Sequence, residues 1–133
     1  MNAKTLAPTA TRLLLGLTFA VFGLNGFLNF LPAPTPTGAA AEFLGGLAAT
    51  GYFFPLLKGT EIAVGLLLLT NRWVPLALVV LAPITINILA YHKLAPEGLP
   101  LALGITALHL IVAWFERASF RPLFQSASQP TAA

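Results

Sequence analysis

The sequence predicts an all-α fold: a four-helix transmembrane bundle with a short interfacial helix between the first and second spans. Three observations predict it. Hydrophobic residues make up 57% of the 133, charged residues only 8%, and mean hydropathy is +0.85. Soluble domains average about 25% charged residues, so this composition could not cover a water-facing surface. Second, four apolar stretches occur, each long enough to cross about 30 Å of hydrocarbon. Third, Glu61 stands inside one of them, between Lys58 and Thr70. An ionisable group at bilayer depth is costly and normally turns toward a partner or a wet cavity.

The spans follow in order. The first covers 13–31 and is closed by Pro32, Pro34 and Pro36. The second covers 53–70 and is the least apolar, because it holds Lys58 and Glu61. Asn71-Arg72 turns the chain into the third, 73–91, and Pro96-Glu97-Gly98 opens the fourth, 99–115. Between the first two spans, an alanine- and glycine-rich stretch predicts an interfacial helix over 39–50. The small, polar tail 126–133 reads as disordered. A cleaved leader is disfavoured for the first span, which exceeds a usual leader core and is followed by three more. One membrane domain therefore accounts for the chain.

Charge sets the orientation. With the N-terminus inside, Lys4, Arg12, Arg72, Arg117 and Arg121 face the cytoplasm, and only Lys93 lies outside beside Glu42 and Glu97. That bias puts both termini in the cytoplasm. Tyr52, Phe53, Phe54 and Tyr91 then fall at the outer boundary, and Trp73, Trp114 and Phe115 at the inner one. The scattered basic residues form no patch for nucleic acid. Absence of cysteine excludes disulfides, thiol catalysis and thiolate metal sites.

Helical rise converts sequence position to depth from the cytoplasmic side: about 13 Å for Glu61, 18 Å for Asn25 and Lys58, 21 Å for Asn87 and 9 Å for His109. Asn29 lies nearer the outer boundary. Periodicity predicts inward stripes of Thr18, Phe22, Asn25 and Asn29; of Lys58, Glu61, Gly65 and Leu68; of Val80, Ile84, Asn87 and Tyr91; and of Ala102, Thr106, His109, Ala113 and Glu116. Leu101, Ile105, Leu108 and Val112 form the back of the fourth. Lys58 and Glu61, three apart, can pair along one face, and His109 can approach Glu61 from below. Pro83 predicts a kink in the third helix.

Asn25, Asn29, Lys58, Glu61, Asn87 and His109 thus form an intramembrane polar cluster. Two readings stay open: interhelical glue, or a ligand or proton site. His92 belongs to the wet boundary segment Tyr91-His92-Lys93. Haem held by both histidines is rejected, because His92 and His109 differ by about 15 Å in depth. No metal ligand set, phosphate loop or nucleophile motif is present, and no catalytic residue is assigned. An apolar slot with Asn25, Asn87 and His109 suits a quinone, the one cofactor this chemistry suggests. Arg72, Arg117, Phe120 and Arg121 form a cytoplasmic surface for a protein partner.

Several short motifs recur in one order across 12–124: Arg12 with Leu13-Leu14-Leu15-Gly16, then Val21-Phe22-Gly23-Leu24-Asn25-Gly26-Phe27, then Gly51-Tyr52-Phe53-Phe54-Pro55 followed by Glu61. Leu81-Ala82-Pro83-Ile84 with Asn87 to His92, and Ala113-Trp114 to Phe120-Arg121-Pro122-Leu123-Phe124, continue the series. In these motifs the chain resembles the DoxX family of small four-helix bacterial membrane proteins. The resemblance implies a bacterial inner-membrane location and an intramembrane glutamate at Glu61. Family members often carry a lysine soon after the Phe-Gly pair; here Asn25-Gly26-Phe27-Leu28-Asn29 stands there, leaving Lys58 to substitute. It also implies a non-catalytic accessory role in a quinone-linked or redox-protective assembly with a redox protein partner. A quinone- or small-molecule-binding oxidoreductase using Glu61 and His109, and a solute or proton transporter, are the alternatives.

Overall fold

A computed structural model describes residues 2–128 and 130. Among them the chain is helical with no strand: α1 Ala3–Leu28, α2 Gly38–Ala49, α3 Phe53–Leu69, α4 Val74–Tyr91, α5 Leu99–Phe115 and α6 Arg117–Phe120, with 3-10 turns at Pro96–Gly98 and Arg121–Phe124. Helices α1, α3, α4 and α5 close a four-helix bundle, each packing on two neighbours, and α1 with α3 is the most intimate pair. Residues 129 and 131–133 of the tail expected to be disordered lie outside the described residues.

The main boundary correction is at α1, which begins ten residues before the predicted span and ends three residues before its end. Apolar windows discount a polar first turn, but Asn2 accepts hydrogen bonds from Thr5 and Leu6 and starts the helix there. Proline at position 8 falls early enough to remove only one ladder bond. At the other end Asn29 adopts a left-handed conformation (φ 50°), and the Leu31 amide donates to Asn25 Oδ1 at 2.7 Å. Asparagine tolerates that conformation better than most residues, so the helix stops there.

The α3–α4 connection is equally local. Asn71 is left-handed (φ 55°); its amide donates to Leu68 O and that of Arg72 to Leu67 O, the paired closure of a Schellman end. From α1, the Arg12 guanidinium donates to the carbonyls of Leu68 and Leu69. A cation at the negative end of the α3 dipole thereby ties two helices together. Trp73, also left-handed, caps α4 by accepting from Ala77. Helix α4 then runs as one element through Pro83.

Gly51 (φ +72°) turns the chain by 90° between α2 and α3, so α2 lies across the end of the bundle. That end holds Tyr52, Phe53, Phe54 and Tyr91; Arg12, Arg72 and Trp73 mark the other.

Burial corrects three of the four predicted stripes. On α1 the buried residues are Leu15, Gly16, Phe19, Ala20 and Gly23, a face rotated away from Thr18, Asn25 and Asn29. On α4 they are Val74, Ala77, Leu78, Leu81 and Thr85, while Val80 and Asn87 are exposed. On α5 Ala102 and His109 are buried as predicted, but so are Ile105 and Val112 from the assigned back face. The reason is volume: the core is filled by Leu15, Phe19, Leu68, Leu78, Leu81 and Val112, and large apolar groups override polar periodicity. On α3, Glu61, Gly65 and Leu68 are buried together, with Val64.

Glycines let α1 and α3 touch. A Cβ at Gly65 would stand 2.6 Å from Ala20 N and 2.8 Å from Gly16 O; one at Gly23 would stand 2.8 Å from Ile62 Cγ1. Close backbone approach through small residues is the usual seam where helices gain little from hydrophobic association.

Gly65→Ala should cost about 1–3 kcal/mol through overpacking. Gly104→Ala, where a Cβ meets nothing within 4 Å, should gain about 0.5–1 kcal/mol of helix stability. Equilibrium unfolding in detergent reads both, and equal effects at the two sites would contradict the contact.

Candidate functional site: a cleft over a buried ion pair

At the α2 end of the bundle, α1, α3, α4 and α5 diverge around a cleft of about 860 Å³, with Phe43, Leu44 and Leu47 of α2 along its edge. Its walls are aromatic and aliphatic, including Phe19, Phe22, Phe53, Phe54 and Tyr91. Mostly apolar clefts with few polar groups are the usual form of small-molecule sites. The Phe43 and Tyr91 rings approach to 6.1 Å, linking α2 to α4 across the cleft.

Its principal polar feature comes from α3. Lys58 Nζ donates to Glu61 Oε2 at 2.9 Å, the only ion pair among the described residues. The glutamate is 3% exposed, whereas the lysine side chain is 24% exposed. Spacing of three residues brings both groups to one helix face. The lysine stem is held by α1: a Cβ on Gly26 would stand 2.6 Å from Lys58 Cδ and 3.1 Å from its Cβ. Glycine at 26 is therefore the notch through which the lysine reaches its partner. One carboxylate oxygen and two ammonium hydrogens remain for a guest at the cleft.

Asn25, Asn29 and Asn87 also border the cleft, but two of them serve the backbone. Asn25 accepts from Leu31, and Asn87 Nδ2 donates to Pro83 O at 2.9 Å. Each keeps one half of its amide for other contacts. Asn29 is the left-handed residue that ends α1.

His109 stands apart. It is buried on α5, does not line the cleft, and its Nδ1 hydrogen-bonds Thr85 Oγ1 of α4 at 2.9 Å. The predicted approach of His109 to Glu61 is thus replaced by a separate two-residue lock between α4 and α5. Burying an unpaired polar group is costly, so Thr85 and His109 satisfy each other.

No family model matches the chain, and no curated protein and no solved structure matches it either.

Thr85 and His92 escaped the sequence reading, and Gly26 was legible only as a glycine at a helix seam. Thr85 shares the Ala77–Leu81–Thr85 row, spaced by four, and that row could have identified it. Gly26 follows Asn25 with only a Phe-Gly pair nearby, and nothing local says that a lysine stem will cross it. His92 borders the cleft mouth: its Nδ1 donates to Ile88 O at 2.7 Å, and its ring packs on Gly98 and edge-on against Tyr91. Of the predicted partner surface, Arg72 is exposed. Arg117 is engaged with Trp114, through its carbonyl at 2.8 Å and its ring at 4.8 Å. Phe120 is half-buried against the core, and Arg121 is exposed.

Lys58→Ala should destabilise the bundle by about 3 kcal/mol or more, because it strands a buried carboxylate. Lys58→Met with Glu61→Gln should recover most of that loss, giving a large coupling in a double-mutant cycle. Additive effects in detergent unfolding would contradict the pairing.

Proposed function

We propose that this chain is a polytopic membrane protein of the DoxX type, and that its cleft receives the ring of a lipid-soluble molecule of the quinone class. It acts there as a non-catalytic subunit of a quinone-linked or redox-protective assembly with a redox protein partner. Helices α1, α3, α4 and α5 cross the bacterial inner membrane, both termini are cytoplasmic, and α2 lies in the outer interface. The observation that carries this reading is an ion pair standing at an aromatic cleft inside a bundle whose outside is apolar.

Support comes first from exposure. Twenty-eight large apolar side chains are exposed, against fourteen buried apolar ones among the described residues. Such a surface would aggregate in water and is ordinary in lipid. Helices α1, α4 and α5 (with its opening turn) are each long and apolar enough to cross, and only 22–28% of their apolar windows is buried. Helix α3 has 17 residues, about 26 Å of rise, a little short of the hydrocarbon thickness unless its flanks or the bilayer adjust.

A ring between aromatic walls gains stacking, while Lys58 donates to a carbonyl and Glu61 or Asn87 accepts from a hydroxyl. The separation of His109 from Glu61 favours the non-catalytic role over an oxidoreductase that uses the two as a proton-handling pair. A transporter would need a polar route through the lower bundle, where Leu15, Leu68, Leu78 and Val112 are packed without exposure above 2%.

Photolysis of an azido-ubiquinone in proteoliposomes should cross-link cleft residues such as Phe43, Phe54 and Tyr91. Ile84→Trp, which fills the cleft, should reduce that yield about tenfold or more, by loss of the pocket. Cross-links scattered over the bundle exterior at Leu14 or Leu110, unaffected by Ile84→Trp, would contradict the proposal.

A further inference from the structure

Beyond the cleft, the segment after α5 forms a surface of its own. Glu116 ends α5, and α6 with the turn Arg121–Phe124 leaves the bundle at the end that carries Arg12, Arg72 and Trp73. Phe120 packs back on the core and fixes the segment against the bundle. Its neighbours point outward: Leu123 is 66% exposed and Phe124 85%. Two exposed arginines, Arg117 and Arg121, precede these apolar groups, and Arg72 and Lys4 are exposed at the same end of the bundle. Trp73 and Trp114 are exposed there as well, 73% and 67%.

Charge complementarity selects the occupant. Among the described residues the only side-chain carboxylate at this end is the half-buried Glu116; Glu42 and Glu97 lie at the other end, and Glu61 is in the cleft. Exposed tryptophans at one level are the usual mark of the headgroup region, where an amphipathic ring has both surroundings it needs. Outward apolar groups beside arginines suit a surface that is greasy on one side and anionic on the other. A folded protein partner would need a contiguous apolar centre, and Phe120, the natural anchor, is turned inward.

We infer that residues 117–124 are an in-plane anchor for the acidic headgroups of a phospholipid leaflet, with Leu123 and Phe124 inserted below the headgroups and Arg117, Arg121 and Arg72 binding the phosphates. This rests on the membrane reading above. Each arginine close to an anionic leaflet favours the bound segment by about fivefold, a gain that salt weakens.

The chain has no cysteine, so Leu123→Cys accepts a single bimane label. The probe is aqueous iodide quenching of that label in nanodiscs of phosphatidylcholine alone or with phosphatidylglycerol. Quenching should fall roughly threefold or more with phosphatidylglycerol, recover at high salt, and lose its lipid dependence in Arg121→Gln and in Arg117→Gln with Arg121→Gln. Among the described residues the Arg121 side chain makes no hydrogen bond or ion pair, and its backbone bond to Ala118 O survives substitution, so the change leaves the fold intact. Strong quenching in both lipids overturns the inference and leaves this face to a protein. Protection equal in both lipids overturns the headgroup selectivity. A label at Leu110→Cys, on the mid-helix exterior of α5, separates the two levels: iodide access there removes the membrane reading itself, whereas shielding at 110 with exposure at 123 removes only the anchor.

Discussion

Close contact between α1 and α3 is the constraint on which the remaining architecture depends. Gly16, Gly23 and Gly65 bring two backbones within touching distance, and Arg12 ties the α3 carboxyl end to α1. That approach places Gly26 against the Lys58 stem and so directs the ammonium to Glu61. A wider spacing would leave the lysine free to swing away, and the buried carboxylate would lose its compensation. The seam between two helices therefore determines whether an acid can exist inside the bundle at all.

From that seam the polar groups divide into two kinds. Thr85 with His109 is a closed pair between two helices, and Asn25 gives one half of its amide to Leu31. Lys58 and Glu61 are closed against each other but open toward the cleft. An apolar environment strengthens both kinds, since an unmatched hydrogen-bonding group there is expensive. The open pair, with the free halves of the Asn25 and Asn87 amides beside it, has directed capacity left for a guest, and it stands where six phenylalanine and tyrosine rings line the cleft. Structural glue and a candidate ligand site, which the sequence could not separate, thus fall on different residues of one bundle.

How much was legible follows the same division. Three of the four long helices lie close to where hydropathy and punctuation put them, because Asn71, Pro96 and Gly98 act locally. The start of α1 was missed because a hydropathy window does not see a polar helical turn. The Lys58–Glu61 pairing was legible because it is contained in one helix. Facing on α1 and α4 was misread where asparagines were taken to point inward. Asn25 and Asn87 instead bond the backbone of their own segments, a competing use of such side chains that leaves no trace in periodicity. The partner of His109 and the role of Gly26 depend on contacts between distant segments, and a single sequence carries no record of those.

The central claim is that the four long helices thread a bilayer with the ion pair turned inward and both chain ends on one side. Sided labelling of single cysteines at Asn2, Leu94 and Ser126 in sealed vesicles, with an impermeant maleimide, tests it most directly. The account predicts that positions 2 and 126 react from the same side and position 94 only from the other. Reaction of 2 and 126 from opposite sides, or of all three from both sides of intact vesicles, would contradict it.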